Sequence, residues 1–272
     1  MTDLLQEICA RKLEHIAACR HAVPLHELEA RIATLPPARD FVGALQSKRK
    51  AGQFGLIAEM KRASPSAGSI RPDFDPAAIA AAYKAGGAAC LSILTDQPYF
   101  KGQDTDIAAA APAGLPILRK DFMVAPYQIA ETRALGADCV LLIMAVLTDT
   151  QAAELQAAAQ HYGLAVLIEV HDAEELVRAL RLPPLNSDVD TKKCMIGINN
   201  RNLKNLQINL DTTRTLAEHI PRDRLIISES GLRSHSDLQN LRHFGADCFL
   251  IGEHLLIQKD LVTATRKMLG LS

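Results

Sequence analysis

The sequence has no tryptophan, and its aromatic residues make up only 4 % of the chain. Its core must be built mainly from aliphatic side chains, and a hydrophobic content of 48 % suffices for a sizeable one. Net charge is also missing, because 30 Lys and Arg stand against 31 Asp and Glu. That balance argues against a nucleic-acid or polyanion binder, while leaving room for one local basic pocket. Long apolar runs are absent too. The longest, CVLLIMAVL at Cys139–Leu147, is far short of the roughly 20 residues that span a bilayer. The opening MTDLLQEICARKLEHIAACR alternates apolar and charged residues at helical spacing and lacks the apolar core of a signal peptide. No CxxC pair occurs among Cys9, Cys19, Cys90, Cys139, Cys194 and Cys248, and four of them open apolar runs as small buried hydrophobes do. These absences predict a cytoplasmic protein with reduced cysteines and no metal, membrane or nucleic-acid partner.

What is present is a repeat. From about residue 55, eight short apolar runs recur: LIAEMKR, CLSILT, PILRKDF, CVLLIMA, AVLIEVH, MIGINNR, LIISES and CFLIG. Most are near-continuous in Ile, Leu and Val, the pattern of strands buried on both faces. Between them lie segments such as DPAAIAAAYKAGGAA and SHSDLQNLRHFGAD, with apolar spacings of three and four, Asp or Ser starts and terminal glycines. These read as helices. AGGAACLSIL, LGADCVLLI and FGADCFLIG repeat one phrase of helix end, small residues, Cys and strand. Eight β-then-α units predict an α/β fold of the (β/α)8 TIM-barrel type over residues 55–272, with residues 1–50 as an N-terminal helical extension of the same domain. A doubly wound sheet fits less well, since the first loop has no GxGxxG. Arg181–Lys193 is a polar insertion between a helix and the next strand, a connection that lies at the non-catalytic end of a barrel.

Polar residues collect at the other end. The first strand finishes in Glu59 and Lys61, two residues apart and so on one face, followed by Ser64-Pro65-Ser66. The third ends in Arg119, Lys120 and Asp121, and the fifth in Glu169 and His171. Asn199, Asn200 and Arg201 close the sixth, Ser228, Glu229 and Ser230 the seventh, Gly252 and Glu253 the eighth. Barrel active sites lie at these C-terminal strand ends. Gly231 and Gly252 follow the last two strands, where barrels commonly bind phosphate and where a missing Cβ lets backbone approach an anion.

In this order, IAEMKRASPSAG, PILRKDF, LIEVH, GINNRNL, ISESGL and FLIGEHLL resemble the indole-3-glycerol phosphate synthase family along essentially the whole chain. The resemblance implies a carbon–carbon lyase of tryptophan biosynthesis. It would close the indole ring of 1-(2-carboxyphenylamino)-1-deoxyribulose 5-phosphate with loss of carbon dioxide and water, without a cofactor. Carried over motif by motif, Lys120 is expected to protonate the substrate carbonyl as the ring carbon attacks. Lys61 would hold the substrate carboxylate, and Glu169 and Glu59 would handle protons in dehydration, with acid and base left open. Asn199 would bond a hydroxyl or amine, and Glu229 would be a network carboxylate. Phosphate would meet Ser66, Ser230, Gly231 and Gly252, with charge from Lys61 or Arg201. Phe122, Leu142 and Leu203 would line the ring pocket. The sequence departs from the family in its long insertion and in Glu253, where a serine commonly stands. His171, beside Glu169, is not counted among the catalytic residues. Contact with neighbouring tryptophan-pathway enzymes is left open.

The residue types suit that chemistry independently. Attack on a ketone is helped by an ammonium at its oxygen, one that desolvation can tune into an acid, and dehydration can be divided between carboxylates in different environments. Three alternatives stand beside this reading: a Schiff-base aldolase with Lys120 as nucleophile, a sugar-phosphate isomerase, and a non-catalytic barrel that binds a phosphorylated metabolite.

Overall fold

The computed structural model describes residues 3–64, 68–183, 194–203 and 205–272. Eight parallel strands close into a barrel. They are β1 (Gly55–Met60), β2 (Cys90–Leu94), β3 (Ile117–Lys120), β4 (Cys139–Ile143), β5 (Ala165–Val170), β6 (Cys194–Asn199), β7 (Leu225–Glu229) and β8 (Cys248–Ile251). Each coincides with one of the eight apolar segments of the sequence, β1 and β6 beginning one residue earlier, and β1 pairs with both β2 and β8. Closure leaves no edge, so Glu59 and Lys61 do not mark a solvated edge strand.

Three helices precede the barrel: α1 (Asp3–Ala22), α2 (Leu25–Thr34) and α3 (Phe41–Lys50). Phe41, Val42 and Leu45 of α3 join the inward-facing strand residues Ile57, Cys90 and Cys248 in one apolar cluster, which seals the N-terminal end of the barrel. The α2–α3 link is tied there by Arg39, whose Nε donates to Asp138 Oδ2 at 2.9 Å. Leu5 and Ile8 of α1 belong to the same cluster but sit with Phe122 and Leu203 at the opposite, open end. The extension therefore covers both ends of the barrel.

The outer helices begin and end where local chemistry predicts. α4 (Pro76–Gly86) starts at Asp75, whose side chain accepts from the N–H of Ala77, and stops at Gly87 with φ 98°. α5 (Gln97–Phe100) and α6 (Thr105–Ala110) follow β2. Thr148 and Asp172 cap α8 (Asp149–His161) and α9 (Ala173–Leu180), while α7 (Pro126–Ala134) has proline in its first turn. α10 (Asp211–Ala217), α11 (His235–Arg242), α12 (Glu253–Leu256) and α13 (Leu261–Leu269) complete the chain. Cys90, Cys139, Cys194 and Cys248 are buried, as their places at the front of apolar runs suggest. The greater part of the Arg181–Lys193 insertion lies outside the described residues. Among those residues no helix is long and apolar enough to cross a membrane.

Candidate active site

Alternation along the strands builds the site. Ile57, Leu118, Leu167, Met195, Ile227 and Leu250 face the barrel interior. Two residues further along, the same face carries Glu59, Lys120, Glu169, Gly197, Glu229 and Gly252. Another step brings Lys61, His171 and Asn199 to the mouth. Inward residues are thus apolar at the bottom, and at the top β1, β3, β5 and β7 turn ionisable at about the same height while β2 and β4 keep Leu94 and Ile143.

The ionisable groups converge on one ammonium. Lys120 Nζ lies 3.7 Å from Glu59 Oε2, 3.6 Å from Glu169 Oε2 and 3.5 Å from Glu229 Oε2. Lys61 Nζ donates to Glu59 Oε1 at 2.8 Å. Asn199 Nδ2 donates to Glu169 Oε1 at 3.2 Å, and its Oδ1 accepts from Ser230 Oγ at 2.8 Å. His171 stands beyond Glu169, with Nε2 3.2 Å from Glu169 Oε1 and Nδ1 2.9 Å from Glu175 Oε2.

Two glycines make the convergence sterically possible. A Cβ on Gly197 would lie 2.3 Å from Glu229 Oε1, and one on Gly252 would lie 2.5 Å from Glu59 Oε1. Gly231 has φ 81° and faces Ile208, while Ser230 before it has φ 66°, a conformation uncommon for a residue with a Cβ.

Burial lowers the Lys120 ammonium, but Glu169, Glu229 and Glu59 outweigh it and hold the group protonated well above its ordinary range. The expectation that desolvation tunes Lys120 downward is therefore reversed, because three carboxylates surround one cation. Burial raises Glu59, yet Lys61 and Lys120 bring it below the ordinary carboxylate value. Glu169 is likewise raised by burial, but Lys120 and the hydrogen bonds of His171 and Asn199 pull it down to about 2. Glu229 goes the other way, since burial and the neighbouring Glu169 push it up to about 8 against Lys120. Carboxylates at similar positions on alternate strands are thus driven apart, and one of them takes a proton first.

A cavity of about 500 Å³ opens above these groups. Phe122 and Leu203 line it as expected, and Lys61, Arg201, Ser230, Gly231 and Gly252 lie on the same wall or rim. Leu142 does not. It faces the outer helices, and Leu141 and Ile143 of the same strand point inward instead, as the period-two pattern requires. Ser66 and Pro65 lie outside the described residues. Lining residues that the sequence did not single out include Leu5 and Ile8 from α1, Phe100, Ile208, Arg233 and His254. Gly197 was equally legible as a glycine inside a strand. Arg119 and Asp121 flank Lys120 in sequence; Arg119 does not line the cavity, and Asp121 borders it with its carboxylate engaged elsewhere. Arg119 pairs with Glu131 at 2.8 Å, and Asp121 with Lys12 of α1 at 2.7 Å. Among the described residues no cluster of His, Cys, Asp and Glu could hold a metal ion.

With this geometry in view, the profile of indole-3-glycerol phosphate synthases matches residues 5–268. The chain belongs to the indole-3-glycerol phosphate synthase family. Its relatives include an indole-3-glycerol phosphate synthase of Azospirillum brasilense, 52 % identical over 99 % of this chain and 100 % of the relative. Another, from Rhodospirillum rubrum, is 48 % identical over 99 % of this chain and 100 % of its own length. Among solved structures, 3-hexulose-6-phosphate synthase from Salmonella typhimurium superposes with a TM-score of 0.61, covering 79 % of this chain and 97 % of that one. At 14 % identity that likeness carries the barrel fold and nothing finer. The Lys120-centred cluster is therefore the candidate active site of a member of this family.

Proposed function

We propose that this protein converts 1-(2-carboxyphenylamino)-1-deoxyribulose 5-phosphate to indole-3-glycerol phosphate. The observation that carries the reading in detail is the Lys120 ammonium suspended between Glu59, Glu169 and Glu229 at nearly equal distances, none as short as a charge-assisted hydrogen bond. Such a cation is available to turn toward a substrate oxygen without breaking a tight partnership.

In this reading the phosphate rests against the backbone at Gly231 and Gly252, with Arg201 or Lys61 supplying charge. The anthranilate ring packs on Phe122 and Leu203. Lys61 holds the ring carboxylate. Lys120 gives its proton to the ketone oxygen as the ring carbon forms the new carbon–carbon bond, so the carbonyl becomes a hydroxyl. Loss of carbon dioxide returns its bonding pair to the ring and restores aromaticity. Dehydration then needs a proton delivered to the hydroxyl, which leaves as water, and another removed from the adjacent position. Glu59 and Glu169 carry out those transfers in this reading, with Asn199 bonding a substrate hydroxyl or amine and Glu229 completing the charge network. The apolar cavity wall and the covering α1 residues Leu5 and Ile8 limit water around the reacting atoms, which strengthens each of these interactions. The substrate is a phosphorylated small molecule, and no residue role requires a cofactor.

The test is the fluorescence rise of the indole product when the purified protein meets the carboxyphenylamino-deoxyribulose phosphate, run beside Lys120→Ala. Turnover by wild type and a loss of at least roughly 10²-fold in the variant are expected. A folded wild-type protein without turnover overturns the reading. Retained activity in Lys120→Ala overturns the role given to the lysine.

A further inference from the structure

We propose that His171 is a positioning residue held as an imidazolium, which locks Glu169 in its inward-pointing geometry through a relay that begins at the start of α9. The ring stands between two carboxylates, with Nδ1 2.9 Å from Glu175 Oε2 and Nε2 3.2 Å from Glu169 Oε1. A neutral imidazole has one N–H and one lone pair. Either neutral tautomer would therefore aim a lone pair at a carboxylate oxygen. The imidazolium alone carries an N–H on both nitrogens, hydrogen-bonded to Glu175 at Nδ1 and in ion-pair contact with Glu169 at Nε2. The side chain is only 8 % exposed, so water is poorly placed to relieve the mismatch.

Glu175 is fixed from the helix side. Its Oε2 accepts the His171 backbone N–H at 2.8 Å, and its own N–H donates to Asp172 Oδ1 at 2.9 Å, where Asp172 caps α9. The helix start thus sets Glu175, Glu175 sets the ring, and the ring sets Glu169. The charged groups facing His171 are Glu169 from its own strand and Glu175 from α9. Lys120 of β3 acts on it through Glu169, and β6 contributes the neutral Asn199 to the same carboxylate. Burial opposes the charge on the ring, but Glu169 and Glu175 outweigh it and push the group up to about 10. The consequence is local. Glu59, Glu169 and Glu229 crowd around Lys120, with Lys61 on Glu59, and the imidazolium adds a cation on Glu169. The site's proton then goes to Glu229, which has no such neighbour, and Glu169 stays ionised for proton transfer. What Glu169 does rests on the synthase reading, whereas the charge of the ring does not.

Nitrogen-detected NMR of the wild-type histidine rings between pH 6 and 9 reads that charge directly. One of the nine rings is expected to stay doubly protonated at about pH 8.5 and to vanish from the spectrum of His171→Gln. If every ring is neutral at that pH, the proposal is overturned whether or not the protein turns over substrate. In the folded His171→Gln variant, kcat should fall roughly tenfold or more with little change in KM. The acid limb of its pH profile should rise by about one unit as Glu169 loses its cation. A residue that merely fills space would lower the melting temperature without moving that limb, and an unmoved limb overturns the proposal. Glu175→Gln should bring the ring into titration near neutral pH. If His171→Gln does not fold, the wild-type titration decides. An imidazolium present without turnover would count against the synthase reading alone.

Discussion

Alanine at position 197 would put a methyl carbon 2.3 Å from Glu229 Oε1 and 3.1 Å from Leu167 Cδ1. A carbon and an oxygen rest no closer than about 3.3 Å, so the carboxylate must retreat by roughly 1 Å or rotate. Glu229 Oε2 stands 3.5 Å from Lys120 Nζ, and a retreat of that size changes the balance of carboxylates around the ammonium. Overpacking of a tight interior costs about 1–3 kcal/mol, which for a chain of this size lowers Tm by roughly 2–10 °C. Misplacement of a catalytic group by about 1 Å costs on the order of 10²-fold in rate. Gly197→Ala is therefore expected to melt a few degrees early, to bind substrate nearly as well, and to lose about two orders of magnitude in kcat. Circular dichroism melting and the indole fluorescence assay measure both. Wild-type kcat together with an unchanged Tm would refute the claim that this glycine exists to admit Glu229. Gly252→Ala asks the same of Glu59, whose Oε1 a Cβ there would approach to 2.5 Å.

Lys12→Met removes the cation that α1 places against Asp96 at 2.8 Å and Asp121 at 2.7 Å, both buried. Stranding two buried carboxylates should cost about 3–5 kcal/mol, and calorimetry with an unchanged Tm would contradict it. The folded pKa of Glu229 is raised, so its stabilising contribution is complete below the ordinary carboxylate range and is lost as pH rises through about 8. His171 behaves alike, its contribution present below the ordinary imidazole value and lost as pH rises through about 10. Glu59 and Glu169 are lowered and act oppositely, losing their contribution as pH falls below the ordinary carboxylate range. Tm should thus decline from about pH 5 to 9, and Glu229→Gln should flatten the lower part of that decline. An identical slope in the variant counts against the raised Glu229. Phe122→Ala should raise KM by roughly tenfold with a smaller effect on kcat if the ring packs the substrate, as steady-state kinetics will show.

Much of the site was legible because a strand repeats every two residues. Once Ile57 is inward, so are Glu59 and Lys61, and the same step places Lys120, Glu169, Asn199 and Glu229 in one mouth. The same rule, applied to Leu142, would have excluded it from the ring pocket and chosen Leu141 and Ile143. Leu5, Ile8 and Lys12 were not legible as site neighbours. They lie far from the barrel strands in sequence, and their place depends on how α1 folds back over the open end.

The sequence by itself determined the element order, the closed barrel and the end at which polar residues gather. These follow from local periodicity, capping residues and the repeated strand-end chemistry, which are properties of short segments. Only the tertiary structure decided the protonation pattern. Lys120 held charged, Glu229 raised and Glu169 lowered are outcomes of distances between β1, β3, β5 and β7, together with the space left by Gly197 and Gly252. Electrostatic energy in a dry interior depends on separations of a few ångströms between residues remote in sequence, and those separations exist only once the barrel has closed.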